Sequence, residues 1–171
     1  ETVTITPRNY VFPMRKVPDL NSHYAIIGMA TVVGDYPLYY DAVNEKGLGM
    51  AGLNFPGNAH YFPDQEGKDN ITSFEFIPYI LGTCKSVAEA KEALKKISIS
   101  AEDFSKDFPT STLHWMIADK DSSIVVESME DGLHVYDSPV GFMTNNPPFP
   151  IMKFAVNDYY ALSAHRLDHK F

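Results

Sequence analysis

The sequence predicts an α+β fold with a mostly antiparallel sheet, built as one domain over residues 1–171. Three observations predict it. Strand-like segments open the chain, two helical segments occupy its middle, and strand-like segments return afterwards, an order that suits segregated layers and not the regular alternation of a doubly wound parallel fold. Hydrophobic residues make up 44% and aromatic residues 13% of a 171-residue chain, enough apolar surface for one core and too little length for two domains. The late strands are joined by the short connectors KDS, MED and DSP, which mark a meander.

Taken in order, Thr2 to Thr6 alternates β-branched residues as a strand and is closed by Pro7 and Asn9. The run HYAIIGMATVV, His23 to Val33, is too continuous for a one-sided strand and predicts one covered on both faces. LYYDAVNEKGLGMAGLNF predicts a hairpin with the turn Asn44-Glu45-Lys46-Gly47. Its second arm carries Gly47, Gly49 and Gly52, and glycine in a strand marks close approach of another backbone or a ligand. Asn58 to Asn70 reads as a polar loop.

Thr72 and Glu75 have capping-box spacing ahead of FEFIPYILG, where Pro78 is expected to kink the helix or delay its start. Ser86 and Glu89 repeat the spacing ahead of VAEAKEALKKI, a helix that sets Val87, Ala90, Leu94 and Ile97 on one face and pairs Glu92 with Lys96 on the other. ISISAEDFSKDFPTST reads as a loop, followed by four strands: LHWMIAD, SIVVES, GLHVYD and VGFMTN.

The formal net charge is −8 and no Lys/Arg run exceeds two residues, which disfavours a nucleic-acid partner because phosphate binding needs a basic face. No apolar stretch approaches a membrane span, and the polar start ETVTITPRN does not read as a signal peptide. The lone Cys84 allows no internal disulfide and agrees with a reducing cytoplasm. Glu1 is not an initiator methionine and the chain opens in a strand pattern, so a preceding segment is expected.

For chemistry, His165 and His169 form an i,i+4 pair without a third ligand in view, so no metal site is expected. GLGMAG runs into strand-like LNF instead of a helix, so it is not a phosphate loop and no nucleotide cofactor is implied. Cys84 ends the apolar segment ILGTC and reads as a small buried hydrophobe. Two asparagine-bearing strand ends remain, GLNFPG and MTNNPPFP. Proline fixes its own φ and biases the residue before it toward extended geometry, so Asn54 and Asn145 would leave the sheet in restrained directions. A carboxamide N–H is a neutral donor suited to a developing oxyanion, where one such donor is worth roughly 3 kcal/mol. Spacing alone favours plain turn capping by both residues.

The blocks YDAVNEKGLGMAGLNFPG, CKSVAEAKEALKK, LHWMIADKDSSIVVE and VGFMTNNPPF resemble the choloylglycine hydrolase family, which comprises bile salt hydrolases and penicillin V acylases. The resemblance runs from about Thr4 to about Tyr160. It implies an N-terminal-nucleophile hydrolase with an αββα sandwich, incomplete in this chain, that cleaves the amide of a glycine- or taurine-conjugated bile salt without a cofactor. It implies oxyanion roles for Asn54 and Asn145, and Asn54, where penicillin V acylases commonly carry tyrosine, favours bile salt hydrolase. It further suggests Val33, Tyr40, Phe108 and Leu113 for the steroid pocket, positions whose other reading is ordinary core packing, and a cytoplasmic homotetramer. The family's opening cysteine, the arginine and aspartate near it, and the later half with another active-site arginine are absent from this sequence. This polypeptide alone is therefore expected to be inactive, and the remaining readings are a penicillin V acylase-type amidase or a truncated, non-catalytic product.

Overall fold

The turn at Asn44–Gly47 organises the sheet. Gly47 N–H donates to Asn44 O at 3.0 Å, Gly47 adopts φ +86°, and the Asn44 side chain accepts from the N–H groups of Lys46 and Leu48. An asparagine that closes its own turn in this way fixes the register of both arms.

The computed structural model describes residues 1–159. Its elements in chain order are β1 (Thr2–Thr6), β2 (Ile26–Val33), β3 (Tyr36–Asn44), β4 (Gly49–Asn54), β5 (Asp69–Thr72), α1 (Phe76–Thr83), α2 (Val87–Leu94), β6 (Ile97–Ser100), β7 (Leu113–Ala118), β8 (Ser123–Met129), β9 (Gly132–Asp137) and α3 (Phe149–Ala155), with a 3₁₀ turn at Val156–Tyr159. Seven strands form one sheet in the order β1-β2-β3-β4-β7-β8-β9, every pairing antiparallel. β5 and β6 form a separate parallel pair.

One sheet face lies under the helices. Ile26, Met50, Trp115, Ile117 and Val126 share a core with Phe76, Ile80, Leu81, Val87 and Leu94, and the Phe76 ring meets Trp115 edge-on at 4.7 Å. The other face is closed only locally, where Phe149 and Met152 of α3 cover Val125. No helix among the described residues is long and apolar enough to cross a membrane.

The capping signal ahead of α2 is met in full, whereas the one ahead of α1 is met only in part, since Glu75 and not Thr72 caps that helix and makes no side-chain cap hydrogen bond. Ser86 accepts from Glu89 N–H as the N-cap of α2. Glu75 reaches back to the N–H and hydroxyl of Thr72, and α1 begins only at Phe76, so that Pro78 falls in its first turn, where a missing N–H costs no helix hydrogen bond. Several expectations are corrected. β2 is not covered on both faces, since Ile27 and Val32 are exposed. ISIS is a buried strand instead of a loop, which moves Ile97 from the helix face into β6, and Glu92 pairs with Lys95 instead of Lys96. VGFMTN is not a strand: Phe142 and Met143 pack against the α3 cluster instead. The histidine pair at 165 and 169 lies outside the described residues.

Candidate active site

Asn54 is the last residue of β4 and pairs with Leu113 at the start of β7. The next residue, Phe55, is fully buried and its N–H donates to Thr112 O at 2.9 Å. The chain is thus pinned immediately after Asn54, whose own side chain is exposed. Two residues back, a Cβ on Gly52 would stand 3.2 Å from the Trp115 ring, so glycine there lets β4 lie against the indole.

Asn145 sits in an irregular segment between β9 and α3. The Thr144 hydroxyl donates to Asn146 O at 3.0 Å, and Thr144 N–H points at the Met152 sulfur at 3.4 Å. Asn58 Nδ2 donates to Asn146 Oδ1 at 2.6 Å, which ties the loop after β4 to the loop before α3. Of the two adjacent asparagines, Asn146 is therefore engaged. Among the described residues no hydrogen bond to the side chain of Asn54 or Asn145 is present.

Both carboxamides line one cleft of about 560 Å³, within the range of roughly 300–1,000 Å³ common for small-molecule sites. Its walls include Tyr40, Phe74, Phe104, Phe108 and Leu113. Tyr40 is the extra residue of a bulge in β3, between Tyr39, opposite Ala30, and Asp41, opposite Met29, and a bulge re-aims a side chain. Its hydroxyl meets Thr31 Oγ1 at 2.7 Å. Phe108 continues an aromatic series, Tyr36–Phe104 at 5.3 Å, Phe74–Phe104 at 5.2 Å and Phe104–Phe108 at 6.3 Å, that anchors the wall to the core. Asp103 accepts from the N–H and hydroxyl of Thr110, which hold its carboxyl below the usual carboxylate range.

Tyr61 anchors the Ser111–Leu113 part of the wall. Its hydroxyl donates to Ser111 O at 2.9 Å and accepts from Leu113 N–H at 2.8 Å, and burial pushes its pKa to about 12, so it stays a neutral phenol. Val33 does not line the cleft; it lies at the far end of β2 opposite Tyr36.

The remaining candidates fall away. Cys84 is buried at the C-terminal cap of α1, burial pushes its thiol up, and it is not part of the cleft wall. Among the described residues no group of three or more His, Cys, Asp or Glu could hold a metal. A wider cleft of about 740 Å³ opens between α2, β6 and β9, where Lys91 pairs with Asp137 and Lys95 with Glu92 and Lys68 donates to the Lys95 carbonyl.

Sequence reasoning missed one buried polar pair beside the cleft. His114 and Glu127 are both fully buried, and His114 Nδ1 donates to Glu127 Oε1 at 3.0 Å. Strand alternation hides such a pair, because a histidine and a glutamate at every second position look like an ordinary solvent face.

The matching family model is that of the linear amide C–N hydrolases, choloylglycine hydrolase family, over residues 1–171. The chain is 53% identical to a bile salt hydrolase/transferase of Lactiplantibacillus plantarum over 163 residues, 95% of this chain and 50% of that protein. It is 41% identical to a bile salt hydrolase/transferase of Clostridium perfringens over 165 residues, 95% of this chain and 50% of that protein. The structure superposes on a variant of conjugated bile acid hydrolase from Clostridium perfringens with a TM-score of 0.87 at 41% identity, covering 95% of this chain and 51% of that one. Penicillin V acylase from Agrobacterium tumefaciens shares the fold at a TM-score of 0.70 and 24% identity, over 91% of this chain and 47% of that one.

The fold is therefore the α+β sandwich of the N-terminal-nucleophile hydrolases, of which the described residues hold the seven-stranded sheet, the β5–β6 pair and their helices. The chain belongs to the choloylglycine hydrolase family of linear amide C–N hydrolases. It spans about half the length of the curated relatives it matches.

Proposed function

We propose that the full-length protein hydrolyses the amide bond of glycine- or taurine-conjugated bile salts, and that Asn54 and Asn145 hold the oxyanion that develops as that bond is attacked. The observation that carries this reading is two carboxamides without a hydrogen-bond partner among the described residues, one at the end of β4 and one in the segment before α3, both lining one aromatic-walled cleft. Neutral N–H donors fixed before the reaction need little reorganisation when the carbonyl oxygen gains charge, which is the largest electrostatic contribution an acyl-transfer site makes. Tyr40, Phe108 and Leu113 offer the steroid an apolar wall, with burial of hydrocarbon supplying affinity. Val33 is not part of that wall. Cys84 is not the nucleophile in this reading, because its thiol is buried and remote from the cleft lining. A homotetramer, a cytoplasmic location and the absence of a nucleic-acid partner belong to the same proposal, the last two supported by the single free thiol and the net charge of −8.

The test uses the protein at the full length of its relatives, with release of glycine or taurine from conjugated bile salts measured directly. Asn145→Ala is expected to lower turnover roughly 10²- to 10³-fold with the fold retained. Unchanged turnover would remove the oxyanion role. A higher specificity constant for a phenoxyacetyl amide than for a taurine conjugate would reassign the substrate to the penicillin V acylase type.

A further inference from the structure

The two asparagine segments are joined through the interior by a short chain of contacts. Phe55, next to Asn54, stacks flat on the His114 ring, with centroids 4.2 Å apart and planes 6° from parallel. His114 Nδ1 donates to Glu127 Oε1 at 3.0 Å. Both oxygens of Glu127 then accept the N–H of Phe149, at 3.0 and 3.1 Å. Phe149 is the first residue of α3, separated from the asparagines only by Pro147 and Pro148. All four side chains are buried to within 1%.

From this we infer that Glu127, with His114, is a positioning residue that sets the separation of the Asn54 and Asn145 carboxamides; the inference rests on the oxyanion reading of those asparagines. The chemistry of the contacts specifies a carboxyl group. A backbone N–H can only donate and His114 presents its Nδ1–H, so two donors converge on one side chain, and Glu supplies acceptors for both. A glutamine in its place would aim an NH₂ at one donor or the other. The stiff Pro147-Pro148 link passes the position of Phe149 N–H on to the asparagines, while the Phe55–His114 stack fixes the other end of the same span. The exposed Asn58–Asn146 hydrogen bond, 2.6 Å long, is a second tie across the loops, so loss of the buried one misplaces Asn145 without freeing the segment.

The test is a double-mutant cycle in the full-length protein with Glu127→Gln and Asn145→Ala, read as kcat and KM for a conjugated bile salt, with Tm recorded for each variant. Glu127→Gln alone is expected to lower kcat about ten-fold or more with KM changed less than about two-fold; in the Asn145→Ala background it should add less than about two-fold, because its effect passes through that residue. Equal losses in both backgrounds would mean a generally structural role and overturn the inference while leaving the oxyanion reading intact. An Asn145→Ala variant of full activity would overturn both. Should Glu127→Gln not fold, Glu127→Asp, which keeps the carboxyl but withdraws it by one methylene, takes its place in the cycle with the same expected non-additivity, and additive losses would sink the idea.

Discussion

At the scale of single residues, the chain separates asparagines that hold structure from asparagines whose side chains make no hydrogen bond among the described residues. Asn44, Asn58 and Asn146 are engaged in turns or loop ties, whereas Asn54 and Asn145 stand over a cleft. That division was half legible in the sequence. Asparagine followed by proline marks a restrained exit from a strand, but the same pattern serves a turn cap, and the sequence does not show the cleft that both residues line. The buried His114–Glu127 pair left no signal, because its partners, Phe55 and Phe149, come from segments far away along the chain. Arg8 shows a charge that is structural. It grips the Glu45 carboxyl with two nitrogens, and Ala25 N–H donates to the same group at 3.0 Å. The Arg8 hydrogen bonds first, and the Ala25 N–H second, lower the Glu45 pKa from its ordinary 4.5 to about 2. The folded value lies below the unfolded one, so this group's contribution is complete above about pH 4.5 and is lost as pH falls through about 2. Carbon-detected NMR titration of Arg8→Ala is expected to show the Glu45 midpoint moved back toward 4.5; a midpoint still near 2 would assign the depression to the Ala25 N–H alone.

Among the elements, local chemistry predicted what local chemistry controls. Ser86 was readable as an N-cap because its hydroxyl satisfies an N–H three residues on, and it does so at 3.3 Å. Ser86→Ala is expected to lower stability by about 1 kcal/mol, with Ser86→Asp restoring most of it; urea unfolding of the two variants measures this, and an unchanged midpoint in the alanine variant would deny the cap a role. The β3–β4 hairpin was readable for the same reason, since Asn44 and Gly47 specify their own turn. β6 was not. Its first residue, Ile97, continues the apolar spacing of α2, and its parallel partner β5 ends 25 positions before β6 begins, a non-local pairing without a turn to announce it. α3 was hidden by the prolines that surround its start. Pro150 occupies the first turn of the helix, where the ring's fixed φ suits a helix start and no hydrogen bond is lost, so residues that read as a breaker mark a beginning.

In the molecule as a whole, the two sheet faces differ. Under the helices the apolar residues are sealed, whereas on the opposite face Ile5, Ile27 and Val43 stand side by side across β1, β2 and β3 with 68%, 43% and 39% of their surface exposed. Val3 adds to the same side at 69% exposure. The continuous apolar run from His23 to Val33 had suggested cover on both faces, and in a four-layer sandwich that second cover is another sheet. Contiguous apolar residues on an open face are an association surface when nothing lies over them. The 171-residue chain expressed alone is therefore expected to self-associate at micromolar concentration, and light scattering behind size-exclusion chromatography would read masses above 19.2 kDa. Replacing Ile5 and Ile27 together by threonine keeps β-branching and strand propensity while removing apolar surface, so the double variant should shift toward monomer. A wild-type chain that runs as a monomer, or a double variant that associates as strongly, would show that this face does not drive association.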